Sequence, residues 1–484
     1  MPMSTTSSLR KTKIVATLGP ACDRPEILRN MIRCGMNVVR LNLSHGNYTE
    51  HAQRVKILRE VAAEERAHVA VMVDTRGIEV RTGTLQDGPV ELNPEQAFRL
   101  YNDGRPGDQH GVSVSYLRLP AEVRAGDTIL LDDAAIEMTV TDIEGDSIVC
   151  QVIHGGLLGE RKGVNLPGTR LGITATSPEF IDKLNEEIDF AVNNDADYLA
   201  ASFVQSGEEV EDIRDRLATH GSDIPIIAKI ENRAGVDNMD SIIAAANGIM
   251  VARGDLGVEL PLADVPSTQK KLIRSTVMNG KPVITATQML ASMEVNPKPT
   301  RAEASDVANA ILDGTSAVML SGETAMGKYP VEAISTMATI ALRAEASLRH
   351  YGYLQTIQLG HANVIAEAVG QAAARLAEQL QAAAIITLTD SGFTARLISK
   401  HRPESSIIAV TPSPTVARRL ALNWGVMPLL CSDSEAGTDD ARTDFGCQRA
   451  LELGYLNSGD TVVVTHGTRQ GQGGTDMIRV VKAE

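Results

Sequence analysis

Short runs rich in Val, Ile, Leu and Ala begin near Lys13, Val38, Val69, Tyr198, Ile226, Gly248, Pro282 and Ser316, and each reads as a buried parallel strand. Their start-to-start gaps are 25, 31, 129, 28, 22, 34 and 34 residues. Between most starts lies a segment of helical period, such as residues 49–66 or 177–194. Eight strand-and-helix units in this rhythm predict an α/β fold, an eightfold (β/α) barrel of the TIM type. One large doubly wound sheet spanning the whole chain is the alternative.

The third gap breaks the rhythm. A unit of about 30 residues leaves roughly 100 over, enough for a domain inserted after one strand. Over residues 75–168 the pattern changes to alternating β-type segments punctuated by Gly and Asp-Gly turns, which predicts a small β-barrel. The barrel then occupies 1–74 and 169–348. Beyond the helical stretch Tyr329–His350, a helix over about 361–380 and apolar runs at Ala383, Ser406, Val426 and Thr461 predict an open α/β domain over 349–484.

Whole-chain chemistry removes several function classes. The net charge of −15 repels phosphate backbones and anionic membranes, so an anionic ligand must be held locally. Aromatic residues are 3% of the chain, too few for stacking on single-stranded nucleic acid. The five cysteines are odd in number and form no C-x-x-C, which indicates neither a disulfide framework nor a structural zinc site and suits a reducing cytosol. The N-terminus has no apolar h-region and no run of about 20 apolar residues occurs, so the expected location is cytoplasmic, without nucleic-acid or membrane partners.

In an eightfold barrel the active site lies at the C-terminal strand ends. Those ends carry Arg40, Asn42 and Ser44, then Asp74 and Thr75, Lys229 and Glu231, Arg253 and Asp255, Thr287, and Glu323. Glu231 and Asp255, from successive ends, can share a hard divalent cation that keeps waters for substrate oxygens, Mg²⁺ or Mn²⁺. The competing reading pairs Glu231 with Arg233 and Asp255 with Arg253. Alternation puts Lys229 and Glu231 on one strand face, the barrel interior. A lysine there either forms a Schiff base or stabilises negative charge on an enolate or a transferring phosphoryl group, and a neighbouring metal favours the second role.

Weaker signals surround these. Gly254 and Gly257 in Arg253–Gly257 give backbone N–H groups room to approach a carboxylate or phosphate. Thr285 and Thr287 share a face by alternation, so either can reach substrate at the mouth. The run Thr387–Arg396 leads from a strand through a hydroxyl-rich turn into a helix, the geometry of a phosphate cradle or of a plain N-cap. His466–Gly474 is a second flexible wall or a surface loop. Of the ten histidines, only His45 lies near a candidate site.

The ordered motifs Thr12–Pro20, Arg40–Gly46, Lys162–Gly168, Ala228–Asn232, Met250–Glu259 and Ile284–Leu290 closely resemble those of pyruvate kinases, nearly the whole length of the chain. The resemblance implies a barrel carrying an inserted β-barrel lid and an effector-binding C-terminal domain, usually in a homotetramer. It implies transfer of the phosphoryl group of phosphoenolpyruvate to ADP, then protonation of the enolpyruvate. It places Arg40 on the phosphoryl group, Glu231 and Asp255 on Mg²⁺, and Lys229 on the phosphoryl group and enolate. Gly254, with neighbouring backbone N–H groups, takes the substrate carboxylate, and Thr287 helps deliver the proton. Asn42, Ser44, Asp74 and Thr75 match K⁺ ligands, and Arg81 and Lys162, with Asn42 and His45, match nucleotide contacts. The turn with Thr389, Ser391, Gly392 and Thr394 matches a sugar-phosphate effector loop, fructose 1,6-bisphosphate being the first expectation and a monophosphorylated sugar or ribose 5-phosphate the next, with further contacts around Arg469.

One stretch departs from the family pattern. Ile78 replaces a proline that fixes φ near about −65°, which loosens the hinge into the lid. Members that work without K⁺ carry Lys where this chain has Glu79, so the resemblance predicts K⁺ dependence. Two other readings compete: a barrel aldolase with Lys229 as a Schiff-base amine, and a decayed sugar-phosphate sensor. The sensor predicts losses among Arg40, Lys229, Glu231 and Asp255, and all four are present.

Overall fold

A computed structural model describes residues 9–484 apart from 78–79, 170–171, 175, 179, 353–363, 433, 436 and 468–473. Ile78, Glu79 and Arg469 therefore lie outside the described residues. Eight parallel strands close into a barrel: β1 (Lys13–Thr17), β2 (Val38–Asn42), β3 (Ala70–Asp74), β4 (Tyr198–Ala201), β5 (Ile226–Ile230), β6 (Gly248–Ala252), β7 (Val283–Ala286) and β8 (Ala317–Leu320). Each starts within one residue of its sequence-read position, and closure of β1 on β8 through Lys13–Ala16 and Ala317–Leu320 excludes the single open sheet.

Alternation sorts the side chains into two layers. Val15, Val38, Met72, Ala200, Ile227, Met250, Ile284 and Met319 pack together inside the barrel. Their neighbours Ile14, Val39, Val71, Leu199, Ala228 and Val251 face the helical ring. The helices begin where local chemistry starts them. Asn47 caps Tyr48–Glu64, Ser206 caps Gly207–Thr219, and a Thr300–Glu303 capping box opens Arg301–Leu312.

Between β3 and β4 the chain builds a six-stranded sheet with its own core around Phe98, Leu100, Ile129 and Met138. Bridges from Arg81 to Gly163 and from Thr82 to Val114 stitch its two edges, so the sheet curls upon itself. After helix Pro330–Glu345 comes a five-stranded sheet of order β11-β10-β9-β12-β13, made of β9 (Ala384–Leu388), β10 (Ser406–Thr411), β11 (Val426–Leu430), β12 (Thr461–Gly467) and β13 (Thr475–Lys482). Antiparallel β13 was not read from the sequence; its exposed positions give TDMIRVVK no continuous apolar run.

The C-terminal sheet domain is seated on the N-terminal end of the barrel. Leu422 joins the barrel-interior cluster, Tyr198 Oη donates to the Arg419 carbonyl at 2.5 Å, and Arg418 pairs with Asp197 at 2.8 Å.

Candidate active site

The C-terminal strand ends project their polar residues on the interior parity. Arg40 continues Val38, Asp74 continues Met72, Ser202 continues Ala200, and Lys229 and Glu231 continue Ile227. They form one buried network, with exposures of 9% for Arg40, 0% for Asp74, 8% for Lys229 and 2% for Glu231. The Lys229 Nζ lies 3.0 Å from Asp74 Oδ1 and 2.9 Å from Glu231 Oε1, and donates to Ser202 Oγ at 2.7 Å. Arg40 Nε donates to Asp74 Oδ2 at 2.5 Å and Nη1 to Thr17 Oγ1 at 3.3 Å, which fixes the guanidinium plane.

Burial would lower the Lys229 ammonium, but the carboxylates of Asp74 and Glu231 outweigh it and hold it above the ordinary lysine value. Burial would likewise raise Asp74, and the charges of Arg40 and Lys229 hold it below the ordinary aspartate value. Both stay charged at neutral pH. A Schiff-base lysine must lose its proton to attack a carbonyl, so this environment opposes the aldolase reading.

Glu231 Oε2 accepts from the Phe203 amide at 2.6 Å. Asp255, in the short helix Arg253–Glu259, is pushed up to about 7, first by burial and then by the charge of Glu231. Two carboxylates that repel, Glu231 buried and Asp255 half-buried at the cleft wall, are a donor set a divalent cation would relieve. The alternative arginine pairings do not form. Arg233 pairs with Asp237 at 2.9 Å, and Arg253 pairs with Asp306 at 2.7 Å while donating to the carbonyls of Ala286 at 3.2 Å and Thr287 at 2.7 Å.

Those contacts of Arg253 shape the end of β7. Thr287 and Gln288 have φ of 67° and 55°, in the left-handed region where non-glycine residues are strained. The turn ends the alternation, so the two threonines part. Thr285 donates to Thr315 Oγ1 at 2.9 Å outside the mouth, whereas Thr287 Oγ1 accepts from the Gly254 amide at 2.7 Å.

The remaining predicted residues separate into groups. Thr75 lies in the network, accepting from the Ser202 amide at 3.1 Å, and Asn42 Oδ1 accepts from the Ser44 amide at 3.2 Å. Ser44 and His45 are exposed. Arg81 and Lys162 line, with Asp255, a cleft of about 480 Å³ between the inserted domain and the barrel mouth. There Lys162 pairs with Asp132 at 3.0 Å and Arg81 donates to the Arg161 carbonyl at 2.9 Å. Glu323 is scaffold: its oxygens accept from the amides of Leu290 at 3.0 Å and Ser321 at 2.6 Å.

In the C-terminal domain Gly392, at φ 77°, leads into helix Phe393–Lys400. Thr389 Oγ1 accepts from the Gly392 amide at 2.9 Å, Thr394 bonds the Thr475 hydroxyl, and Ser391 is exposed. His466 Nδ1 lies 2.8 Å from Asp439 Oδ2, and 468–473 fall outside the described residues. Sequence reasoning missed Ser202, Thr17 and Asp132. Ser202 was legible from the alternation Tyr198, Ala200, Ser202; Asp132 is joined to Lys162 only by folding.

Comparison with known proteins agrees with this geometry. The family model for the pyruvate kinase barrel domain matches residues 9–334, and that for the pyruvate kinase alpha/beta domain matches residues 367–481. A pyruvate kinase of Bacillus licheniformis is 45% identical over 475 residues, spanning 98% of this chain and 80% of its own length. One from Clostridium acetobutylicum is 43% identical over 479 residues, 98% of this chain and 100% of its own. A crystal structure of a pyruvate kinase from Cryptosporidium parvum superposes with a TM-score of 0.90 at 38% identity, covering 98% of this chain and 96% of that one.

Proposed function

Because the chain belongs to the pyruvate kinase family and is a phosphotransferase making pyruvate and ATP from phosphoenolpyruvate and ADP, we propose that Arg40, Lys229, Glu231, Asp255 and Thr287 carry out that transfer at the barrel mouth. The observation that carries the assignment is the Lys229 ammonium, held charged between Asp74 and Glu231 beside a carboxylate pair. Membership implies a divalent cation and K⁺ in general. Glu231 and Asp255 would hold Mg²⁺ or Mn²⁺, and Asn42, Ser44, Asp74 and Thr75 would hold K⁺. The divalent ion supplies charge neutralisation at the phosphoryl oxygens.

Arg40 binds the phosphoryl group with a guanidinium preset by Asp74 and Thr17. Lys229 stabilises the charge of the transferring phosphoryl group and then of the enolate. The substrate carboxylate takes the Gly254 amide, which in its absence is bonded to Thr287 Oγ1. Binding thus frees an acceptor site on Thr287 Oγ1, whose hydrogen is donated to the Ala286 carbonyl at 2.7 Å, and rotation of this hydroxyl off that carbonyl would let it help deliver a proton to the enolate carbon. Arg81 and Lys162, with Asn42 and His45, receive ADP, and closure of the inserted domain over the cleft excludes water as a rival acceptor.

The division proposed is a barrel over 1–74 and 169–348, a lid over 75–168 and an effector domain over 349–484. The finer reading is a homotetramer activated by a sugar phosphate at Thr389, Ser391, Gly392 and Thr394. A cytoplasmic location follows from the glycolytic role; among the described residues no helix is long and apolar enough to cross a membrane. The test is a coupled assay of pyruvate formation with and without Mg²⁺, alongside borohydride trapping with pyruvate. Metal-dependent turnover without a trapped imine is expected; an imine on Lys229 would restore the aldolase.

A further inference from the structure

A cavity of about 710 Å³ opens where the barrel's last helix and helix Leu348–Tyr351 meet the C-terminal domain. It shares no lining residue with the cleft at the barrel mouth. The volume suits a ligand of metabolite size. Lys11 and Glu345 line it from the barrel, Arg349 from the connection, and Arg375, Arg402 and Trp424 from the C-terminal domain.

The carboxylates here are mostly engaged. Glu345 accepts from the Lys11 amide at 3.1 and 3.0 Å and from the Thr12 amide at 2.6 Å, and Glu404 pairs with Arg349 at 3.3 Å. Glu378 alone adds an exposed carboxylate without an ion pair among the described residues. The Lys11 ammonium is held by the carbonyls of Pro403 at 3.2 Å and Glu404 at 2.5 Å.

The guanidinium groups are not used up. Arg402 Nη2 donates to the Gly314 carbonyl at 2.8 Å and Ser316 Oγ at 3.1 Å, and the group lies 4.7 Å from the centre of the Trp424 ring. Its Nε and Nη1 are sealed from solvent and have no hydrogen-bond partner among the described residues. Burial pulls this guanidinium down to about 9, with Glu345 opposing. Buried donors without partners carry their full desolvation cost and call for an explanation such as a ligand. Arg375, exposed on the same wall, has no ion pair among the described residues either.

We propose that this cavity binds a small phosphorylated metabolite whose phosphate is held by Arg402 and Arg375. Turning the Arg402 guanidinium toward the cavity gives up the Nη2 bonds to Gly314 and Ser316 and brings the unpartnered Nε and Nη1 to an entering oxyanion, whose acceptor oxygens replace them. Two guanidinium groups match the charge and the several acceptor oxygens of a phosphate monoester. Occupancy joins barrel to C-terminal domain at a place separate from the turn of Thr389–Thr394, and the proposal stands independently of the catalytic assignments.

Trp424 is the only tryptophan in the chain, so its emission reports on this cavity directly. The full chain, without substrates and at constant ionic strength, is titrated with inorganic phosphate and with ribose 5-phosphate, following emission and heat. A saturable signal is expected, with binding about tenfold weaker in Arg375→Glu, whose exposed site tolerates the change, and in Arg402→Lys. Ser391→Glu, in the other turn, leaves the signal intact. Tighter binding of the sugar phosphate supports the metabolite; equal binding of both probes supports a site that reads the phosphate group alone. Absence of saturation in both emission and heat, or a signal that Arg375→Glu leaves unchanged, overturns the proposal.

Discussion

Replacing Lys229 with Met separates the electrostatic role of this side chain from metal binding. At 2.9 Å from Glu231 and 3.0 Å from Asp74, the ammonium attracts each carboxylate by about 5 kcal/mol at an effective dielectric constant near 20, before desolvation is counted. Loss of one member of a buried pair costs about 3–5 kcal/mol of stability when the partner is stranded. Here the stranding is partial, because Asp74 keeps Arg40 and Glu231 keeps the Phe203 amide. Lys229→Met is therefore expected to fold, with stability reduced by about 3 kcal/mol or less. Removing one preorganised charge from a developing anion lowers kcat by about 10³-fold, or about 4 kcal/mol. The metal responds with the opposite sign. A positive neighbour of Glu231 and Asp255 has gone, so Mn²⁺ binding without substrate, followed by water-proton relaxation, becomes equal or tighter. A folded variant within tenfold of wild-type kcat, or one that loses Mn²⁺, would refute the reasoning.

Arg253→Lys gives up the fork that holds the carbonyls of Ala286 and Thr287, and should lower kcat about tenfold or more with little change in KM for phosphoenolpyruvate. A loss confined to KM instead would assign Arg253 to ground-state binding. Lys162→Ala, at the cleft rim, should raise KM for ADP much more than KM for phosphoenolpyruvate, measured by varying each substrate in turn. Turnover in tetramethylammonium buffer is expected to fall well below that in K⁺, and equal rates would contradict a K⁺ site at Asn42, Ser44, Asp74 and Thr75. His401 is lowered to about 4, chiefly by burial, so the unfolded chain takes up its proton first as pH falls below about 6.5. Its contribution is present above that pH and is lost toward pH 4, about 2 kcal/mol of it by pH 5. Urea midpoints at pH 7 and pH 5 should therefore differ less in His401→Gln than in wild type.

Much of the architecture was written in local sequence. Parallel strands buried on both faces must be short apolar runs, so all eight barrel strands could be located within a residue, and the long third gap announced the insertion. Parity along a strand carried Lys229 and Glu231 to the interior before any contact was known, and position at the strand ends brought Arg40 and Asp74 to the mouth. The pattern of motifs named the family, which composition and spacing could not do. What only the tertiary structure decided depends on pairs distant in the chain. Alternation put Thr285 and Thr287 together, but a left-handed turn held by Arg253 parts them. Whether Glu231 and Asp255 meet arginines or each other was open in the sequence, because a carboxylate's partner comes from another strand. Sequence likewise gave no sign of Asp132 beside Lys162 or of the unpartnered guanidinium of Arg402. Hydrogen-bond satisfaction is a property of the packed interior, and no local window of residues contains it.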